Sequence, residues 1–565
     1  MQQRVDAQLN DLLMQAVRTL TASQSFDGLR WEVPKDSAFG DLSSPVGFRL
    51  ASQQRQAPQQ IAQRLIDVLE QSLRQSPLRS AVDRFEVKQG FVNLFLSHRA
   101  LLDILSRINQ EGGAYGASRL GQGRKVDIEF VSANPTGPLS VAHGRQAAIG
   151  DALARVMRSQ GYAVTTEYYL NDEGRQIELL GRSLRARYLQ ALGQDEPFPD
   201  DGYHGQYVTE YATRLAETKG QSLAREPEAA FIKLGMDEML RRIKDDLGRF
   251  GLTFDEWSSQ AALRASGRVD AALEALKTRG VLYEADGAMW FASTKFGDDK
   301  DRVVRKQSGE LTYLAPDIAY HEWKFARGYE QVINLWGPDH HGYIARVKAA
   351  VTALGLPAER LVVRIVQLVT LSRHGKVVPM SKRQGEFVTF REVLDEAGVD
   401  ATRFFYLMRT MESHLDFDLD LATSQSQENP VYYVQYAHAR ICSILANAKQ
   451  EGPQFEPAAA ADELARLVEP EERLLLRQLF QFPMVLAMCA QALEPHGVTV
   501  YLQRLAECFH VLYTKHRVIG EDAALSRARL ALIRATRGVI ANGLGVLGVS
   551  APARMEQQKK GDEGS

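Results

Sequence analysis

The stretch KVDIEFV-SANPTGPLS-VAHGRQAAIGDALARVMRSQ, Lys125 to Gln160, decides the fold. Lys125 to Val131 is strand-like, with Val126, Ile128 and Val131 among its residues. Ser132 to Ser140 holds Pro135, Gly137 and Pro138, which break the chain. His143 to Gln160 has helical spacing and stops at Gly161, and Ala163 to Tyr169 predicts the next strand. Strand, tight turn, helix and strand argue for a parallel sheet with crossover helices, the doubly wound nucleotide-binding class.

Working outward, the alternation resumes with QVINLW (331–336), a helix from Ile344, and the apolar run LVVRIVQLVTL (361–371). Between these parts a charged stretch from about 185 to 285 reads as a helical insertion. Upstream, residues 1–115 read as a small α+β module. Leu9, Leu12, Leu13, Ala16, Val17 and Leu20 form one helical stripe, and Ile61, Leu65, Val68 and Leu69 form another after Pro58. Phe91 to Leu96 predicts a strand, and the glycine-rich piece from Gly112 to Gly123 a linker. From Asn429 the pattern is helical. The expected organisation is 1–115, then 116–428 with the insertion and a loop at 375–390, then a helical domain 429–555. The last ten residues, 556–565, are polar and predict a disordered tail.

The chain has 565 residues, too many for one hydrophobic core. Its formal charge of -2 excludes neither nucleic acid nor an acidic small molecule, but a polyanion would have to meet a local basic patch. Three scattered cysteines, Cys442, Cys489 and Cys508, make neither a metal cluster nor a disulfide framework and fit a reducing compartment. The first twenty residues are amphipathic and include acidic ones, unlike a targeting helix. No stretch reads as the roughly 18 apolar residues that a membrane span needs. A cytoplasmic protein with no membrane partner is expected.

Two segments carry chemistry. NPTGPLSVAHGR (Asn134 to Arg145) joins a strand to a helix start, whose unpaired N–H groups and positive dipole suit a triphosphate. Gly137 and Gly144 would allow close approach, and His143 could donate to a phosphate oxygen. Alone, the segment is equally well a plain strand–helix connection. GKVVPMSKRQGEFVTF (Gly375 to Phe390) reads as a polar loop whose Lys382 and Arg383 could neutralise a leaving pyrophosphate, although a solvated basic loop is the commoner case. WGPDHHGY (Trp336 to Tyr343) follows a strand at the edge where doubly wound folds bind ligands. Asp339, His340 and His341 are adjacent, poor geometry for one metal, so no metal site is expected.

Together these segments resemble the arginyl-tRNA synthetases, class I enzymes of the bacterial type. NPTGPLSVAHGR is similar to the family's HIGH motif, and PMSKR to its KMSKS loop. EVPKDSAFGDLSS, GFVNLFLS, IEFVSANPTGP, GELTYLAPDIAYHEWKF, VDATRFFYLMR, NPVYYVQYAHARI and ANGLGVLGVSAPARM resemble family segments in the family's order, over nearly the whole chain. The resemblance implies a class I Rossmann-like catalytic domain between an N-terminal α+β module that holds the tRNA elbow and an all-helical anticodon-binding domain. It implies arginine–tRNA ligation through an arginyl-adenylate, with ATP and Mg²⁺, activation that requires bound tRNA, and a monomer. Partners would be L-arginine and arginine tRNA.

Residue by residue, it assigns His143, Ser140, Lys382 and Ser381 to catalysis. Pro135, Gly137, Gly144, Asp339, His340 and Met380 fall to ATP. Glu129, Ser132, Asn134, Tyr313, Asp317 and His341 fall to arginine, and Tyr432, Tyr436, Arg440 and Met555 to tRNA. Arginine suits this set because a guanidinium presents five donors and needs carboxylates to accept them. Taken alone, Asp317 would suit a first helical turn and Tyr313 ordinary core packing.

Where the family's motifs have histidine, glycine and lysine, this chain has Ser140, Ala142 and Pro379. Lys376 and Lys125 are the candidates to supply the lost charge. Tyr432, Tyr433 and Tyr436 beside His438 and Arg440 could stack bases, with at least one tyrosine expected in the core. Arg527 and Arg534 share a face that could meet tRNA backbone. Three rival readings are a catalytically weak paralogue that binds tRNA only, another class I synthetase such as the glutamyl or cysteinyl enzyme, and an unrelated nucleotidyltransferase.

Overall fold

The computed structural model describes residues 5–21, 29–34, 36, 39–378, 388–455 and 459–555. Its centre is a five-stranded parallel sheet: β1 (Lys125–Glu129), β2 (Ala163–Leu170), β3 (Glu256–Ser259), β4 (Gln331–Trp336) and β5 (Leu361–Ile365), in the order β5-β4-β1-β2-β3. All of β1 after Lys125 is buried, as a parallel strand covered on both faces must be. Three helices flank the carboxyl ends of these strands: α1 (Val141–Ser159), α2 (Leu314–Ala326) and α3 (Ile344–Ala353). Strand order reverses between β1 and β4, which opens a crevice at their carboxyl ends. Helix α1 can lie close over the sheet because Gly150 has no side chain; a Cβ there would stand 2.2 Å from the Phe130 ring.

Two readings of the sequence change. The run 361–371 is not one strand. Beyond β5 the chain crosses to a separate three-stranded sheet, where Val369–Arg373 pairs with Lys376–Val377 and Leu415–Asp418. At the crossing, Val366 N–H donates to the Trp336 carbonyl of the first sheet and Gln367 N–H to Met411 beside the second. A mainly apolar run, interrupted by Arg364 and Gln367, gives no clear sign of such a transfer. Within the charged stretch 185–285, the helices Gln206–Lys219 and Glu228–Arg249 pack with Arg175–Ala191 around Leu184, Tyr188, Phe231 and Met239. Glu256–Ser259 then returns as edge strand β3, too short to show a period.

The N-terminal part is a three-stranded antiparallel sheet, Leu42–Ser44, Phe91–Leu96 and Val82–Lys88, covered by helices that include Val5–Thr21 and Pro58–Arg74. It rests on the C-terminal helices. Tyr115 donates to the Leu479 carbonyl at 3.0 Å, Asn109 to Ala531 at 3.0 Å, and Arg477 pairs with buried Asp41 at 2.9 Å.

Contrary to the sequence reading, two C-terminal helices, Pro470–Ala492 and Ala523–Leu547, are long and apolar enough to cross a membrane, with mean hydropathies of 1.2 and 1.3. Their apolar residues are used on each other and on neighbouring helices, with 61% of each apolar window buried.

Candidate active site

The crevice at the carboxyl ends of β1 and β4 has a volume of about 720 Å³. Of the residues expected from sequence, Glu129, Ser132, Asn134, Gly137, Ser140, His143, Tyr313, Asp317, Asp339 and His340 line it.

One wall is the turn that leads into α1. Ser140 caps the helix, and its N–H donates to His143 Nδ1 at 3.1 Å. The neutral imidazole therefore carries its proton on Nε2. The Ser140 backbone forms a bridge with Thr389, and Phe390 N–H donates to Leu139, so the segment that follows 379–387 is fixed against this turn. Gly137 sits under Tyr207, whose hydroxyl donates to the Thr136 carbonyl at 2.8 Å. Gly144 faces away from the crevice; a Cβ there would stand 2.4 Å from Phe390, so its smallness serves helix packing. Pro135 is buried beside the turn and does not line the crevice. Arg145, completely buried, donates to the carbonyls of Gln367, Ser413 and Thr410 at 2.8–2.9 Å and fastens α1 to the second sheet.

The floor comes from β1. The strand register sets Asn334, Glu129 and Glu167 side by side across β4, β1 and β2. Buried Glu129 accepts from Ser132 Oγ at 3.1 Å and from Lys324 Nζ at 2.7 Å. Val131 and Ser132 have φ of 69° and 39°, left-handed backbone that a β-branched residue adopts only under constraint. That turn brings Ser132 Oγ to accept from Tyr169 N–H at 3.0 Å while it donates to Glu129.

The far end is built by α2 and α3. Asp317, in the first turn of α2, accepts from the Tyr343 hydroxyl at 2.6 Å. Burial raises its carboxyl to about 7; Tyr343 and Arg346 pull it down, and the Glu129 charge pushes it up. Tyr313 caps α2 at the crevice mouth, 64% exposed. Asp339 and His340 are exposed on the short turn after β4, with Asp339 Oδ2 and His340 Nε2 3.5 Å apart.

Sequence reasoning missed the layer under this floor. Lys324 is completely buried and pairs with Asp127 at 2.8 Å and Glu129 at 2.7 Å, while donating to Asn334 Oδ1 at 3.2 Å. Burial opposes its charge, but Asp127, Glu129 and Glu167 hold its pKa above the usual lysine value. Burial and the neighbouring Glu167 raise the Asp127 carboxyl. Glu167 is held low against its own burial by Lys324 and Arg327, among others. His321 lies between Asn334 Nδ2 (2.9 Å) and the Asp317 carbonyl (2.8 Å), and burial beside Lys324 lowers it to about 4. A signal existed: Asp317, His321 and Lys324 recur at i, i+4 and i+7, one helical face.

Other expected residues lie elsewhere. Lys125 opens β1 at its amino end and is exposed, so it stands at the opposite edge of the sheet from the crevice and cannot supply the charge expected of it. Lys376 is exposed on the two-residue strand Lys376–Val377 and does not line the crevice, and neither does His341. Pro379, Met380, Ser381, Lys382 and Arg383 lie outside the described residues.

In the helical domain Tyr432 and Tyr436 stack at 6.0 Å, and Arg440 lies over Tyr436 and Tyr513. None of Tyr432, Tyr433 and Tyr436 is fully buried, because Val431, Val434 and Ala437 form the core stripe of that helix. His438 is buried against the Pro552 carbonyl. Arg527 is held by Glu463 and the Gln454 carbonyl, whereas Arg534 is exposed. Met555 is partly buried. Glu469, Glu471 and His516 come close enough together to hold an ion, but Glu471 is paired with Lys515 and His516.

Three family models match successive parts of the chain. They are the arginyl tRNA synthetase N-terminal domain over residues 6–96, the class I (R) tRNA synthetase catalytic domain over 104–414 and the DALR anticodon-binding domain over 434–555. Arginine–tRNA ligase 1 of Halalkalibacterium halodurans is 44% identical over 561 residues, 98% of this chain and 99% of that protein. The arginine–tRNA ligase of Geobacillus thermodenitrificans is 46% identical over 557 residues, 97% of this chain and 98% of that protein. A Campylobacter jejuni structure described as an arginyl-tRNA synthetase matches at 34% identity with a TM-score of 0.76, covering 81% of this chain and 100% of that one. The Thermus thermophilus arginyl-tRNA synthetase, 23% identical, shares the fold with a TM-score of 0.77 over 98% of this chain and 100% of that one.

Proposed function

This chain belongs to the arginyl-tRNA synthetase family of class I ligases, and from that premise we propose how its crevice carries out arginine–tRNA ligation. The reading rests on one observation: two carboxylates, Glu129 and Asp317, share a single crevice with a helix-start turn suited to phosphate. Glu129, with Ser132 and Asn134, takes the amino end of arginine. Asp317, oriented by Tyr343 and flanked by Tyr313, takes the guanidinium. Charge-assisted hydrogen bonds of this kind contribute roughly 1.5–3 kcal/mol each, enough to separate arginine from a neutral analogue without editing.

ATP lies along the α1 turn, its phosphates near the Ser140 cap and His143, its remainder toward Asp339 and His340. The arginine carboxylate attacks the α-phosphate in line, forming arginyl-adenylate and releasing pyrophosphate, and the terminal ribose of tRNA then attacks the adenylate carbonyl. Lys382 and, at longer range, Lys376 neutralise the leaving group, and the Ser381 hydroxyl donates a hydrogen bond to it. Of the pocket carboxylates among the described residues, Glu129 is engaged by Lys324 and Ser132 and Asp317 by Tyr343. Mg²⁺ bound with the triphosphate would supply charge neutralisation, and exposed Asp339 is the lining carboxylate that could hold it.

The remaining assignments follow the same premise. Residues 1–115 hold the tRNA elbow and 429–555 the anticodon loop, where Tyr432, Tyr436, Arg440 and Met555 meet RNA. The catalytic unit is 116–428. The enzyme acts as a cytoplasmic monomer, and its three free cysteines suit a reducing compartment.

The test is arginine-dependent ATP–pyrophosphate exchange with and without arginine tRNA. Exchange only with tRNA is expected. Bound tRNA without exchange under either condition would overturn the catalytic reading.

A further inference from the structure

We propose that Lys324, acting through Asn334 and His321, is a positioning residue that fixes the span between Glu129 and Asp317 and thereby sets the length of amino acid that the crevice accepts. The proposal rests on the reading that these two carboxylates meet the two ends of arginine.

An ammonium has three donors, and Lys324 has three partners: Asp127, Glu129 and the Asn334 carbonyl oxygen. Once Asn334 Oδ1 is committed to Lys324, its Nδ2 must donate to His321 Nε2. That nitrogen then accepts, so Nδ1 carries the ring proton and donates to the Asp317 carbonyl. Each link determines the next, and no member can rotate without leaving a buried polar atom unpaired. The chain starts on the floor of the crevice at Glu129 and ends on the backbone of Asp317, whose carboxylate is aimed separately by Tyr343. The two ends of the substrate are thus measured against one another through side chains, across β1, β4 and α2. If the cluster served stability alone, apolar residues in place of both Lys324 and Asp127 would fill the same volume without the cost of burying charge.

Lys324→Met would leave carboxylates without a partner, so the test uses the members further along, in the full chain. Asn334→Ala removes the middle link, and His321→Phe keeps a planar aromatic ring, somewhat larger, while removing both of its hydrogen bonds. Aminoacylation is measured for arginine and ATP, with homoarginine, one methylene longer, as a competitor. The expected result is an arginine KM raised about tenfold, a homoarginine Ki raised distinctly less, and an unchanged ATP KM. In the unsubstituted enzyme, ¹⁵N resonances of His321 should show the Nδ1–H tautomer.

A folded variant of either kind that preserves the ratio of homoarginine Ki to arginine KM would overturn the proposal, as would an Nε2–H tautomer in the unsubstituted enzyme. Asp317→Ala separates the two levels. If it leaves the arginine KM unchanged, the reading of the crevice itself falls. If it raises KM while the Asn334 and His321 variants do nothing, only the positioning chain falls.

Discussion

The Tyr343 hydroxyl lies 2.6 Å from Asp317 Oδ2, joining the turn after β4 to the first turn of α2. It occupies one carboxylate oxygen and leaves the orientation of the other determined, which suits a carboxylate that must meet a planar donor group. Removing Asp317 should therefore be felt in arginine binding. Asp317→Ala is expected to raise the arginine KM by about tenfold or more, since one charge-assisted bond is worth over ~1.4 kcal/mol. Steady-state aminoacylation checks this, and an unchanged KM would remove Asp317 from the pocket.

The same carboxyl makes arginine affinity depend on pH. Burial raises it to about 7 in the free enzyme, with Glu129 adding to the effect and Tyr343 and Arg346 opposing it. A guanidinium selects the ionised form. Affinity should be full above pH 7 and weaken as pH falls through that value, approaching about tenfold per unit. His321, lowered to about 4, stays neutral over this range and contributes nothing. Calorimetric titration of arginine between pH 6 and 8 measures the slope, and a flat profile would contradict the assignment.

Gly144 touches Phe390 rather than the crevice. Gly144→Ala should force α1 away from Phe390 and from the Leu139–Phe390 hydrogen bond. A loss of about 1–3 kcal/mol is expected from overpacking, together with a higher ATP KM, because the Ser140 turn would move. Denaturant unfolding and ATP kinetics read the two effects; a variant with unaltered stability would show that the site tolerates a methyl group.

Loop charge is tested by two alanine substitutions. Lys382→Ala should lower the activation rate by about a hundredfold, the usual effect of losing a group that stabilises transition-state charge. Lys376→Ala, exposed on a separate strand, should cost far less. Pre-steady-state adenylate formation ranks them, and the reverse order would exchange their roles.

The parts legible in the sequence were those where local pattern and burial agree. KVDIEFV places Val126, Ile128 and Phe130 at every second position and all three are buried, and the proline-rich turn after it has no helical or strand period. Phe91 to Leu96 is a strand, as its run of aromatic and aliphatic residues predicts. What could not be read depended on direction and on partners distant in sequence. Lys125 looked available until strand direction placed it at the edge away from the crevice. Nothing near residue 366 records that Arg145, more than 200 residues earlier, needs carbonyls there. Lys324 reads as a surface lysine on an amphipathic helix, and only the strand register that gathers Asp127, Glu129 and Asn334 beneath it gives it a reason to be buried. The tyrosines of the Pro430–Glu451 helix stayed at the surface because valine and alanine already filled its inner face.

The anchoring of Arg145 has a consequence for how the protein is made. Its guanidinium finds an acceptor at Ser413, 268 residues downstream. At roughly 5–20 residues per second of synthesis, that acceptor emerges about 13–54 s after Arg145 does. For most of that interval α1 exists on the ribosome with a charged group meant for burial and no carbonyl to receive it, since the earliest acceptor of Arg145, at Gln367, is itself 222 residues downstream. The catalytic unit matures late, and the nascent chain must stay open, or be held open, until the residues past 410 have been translated.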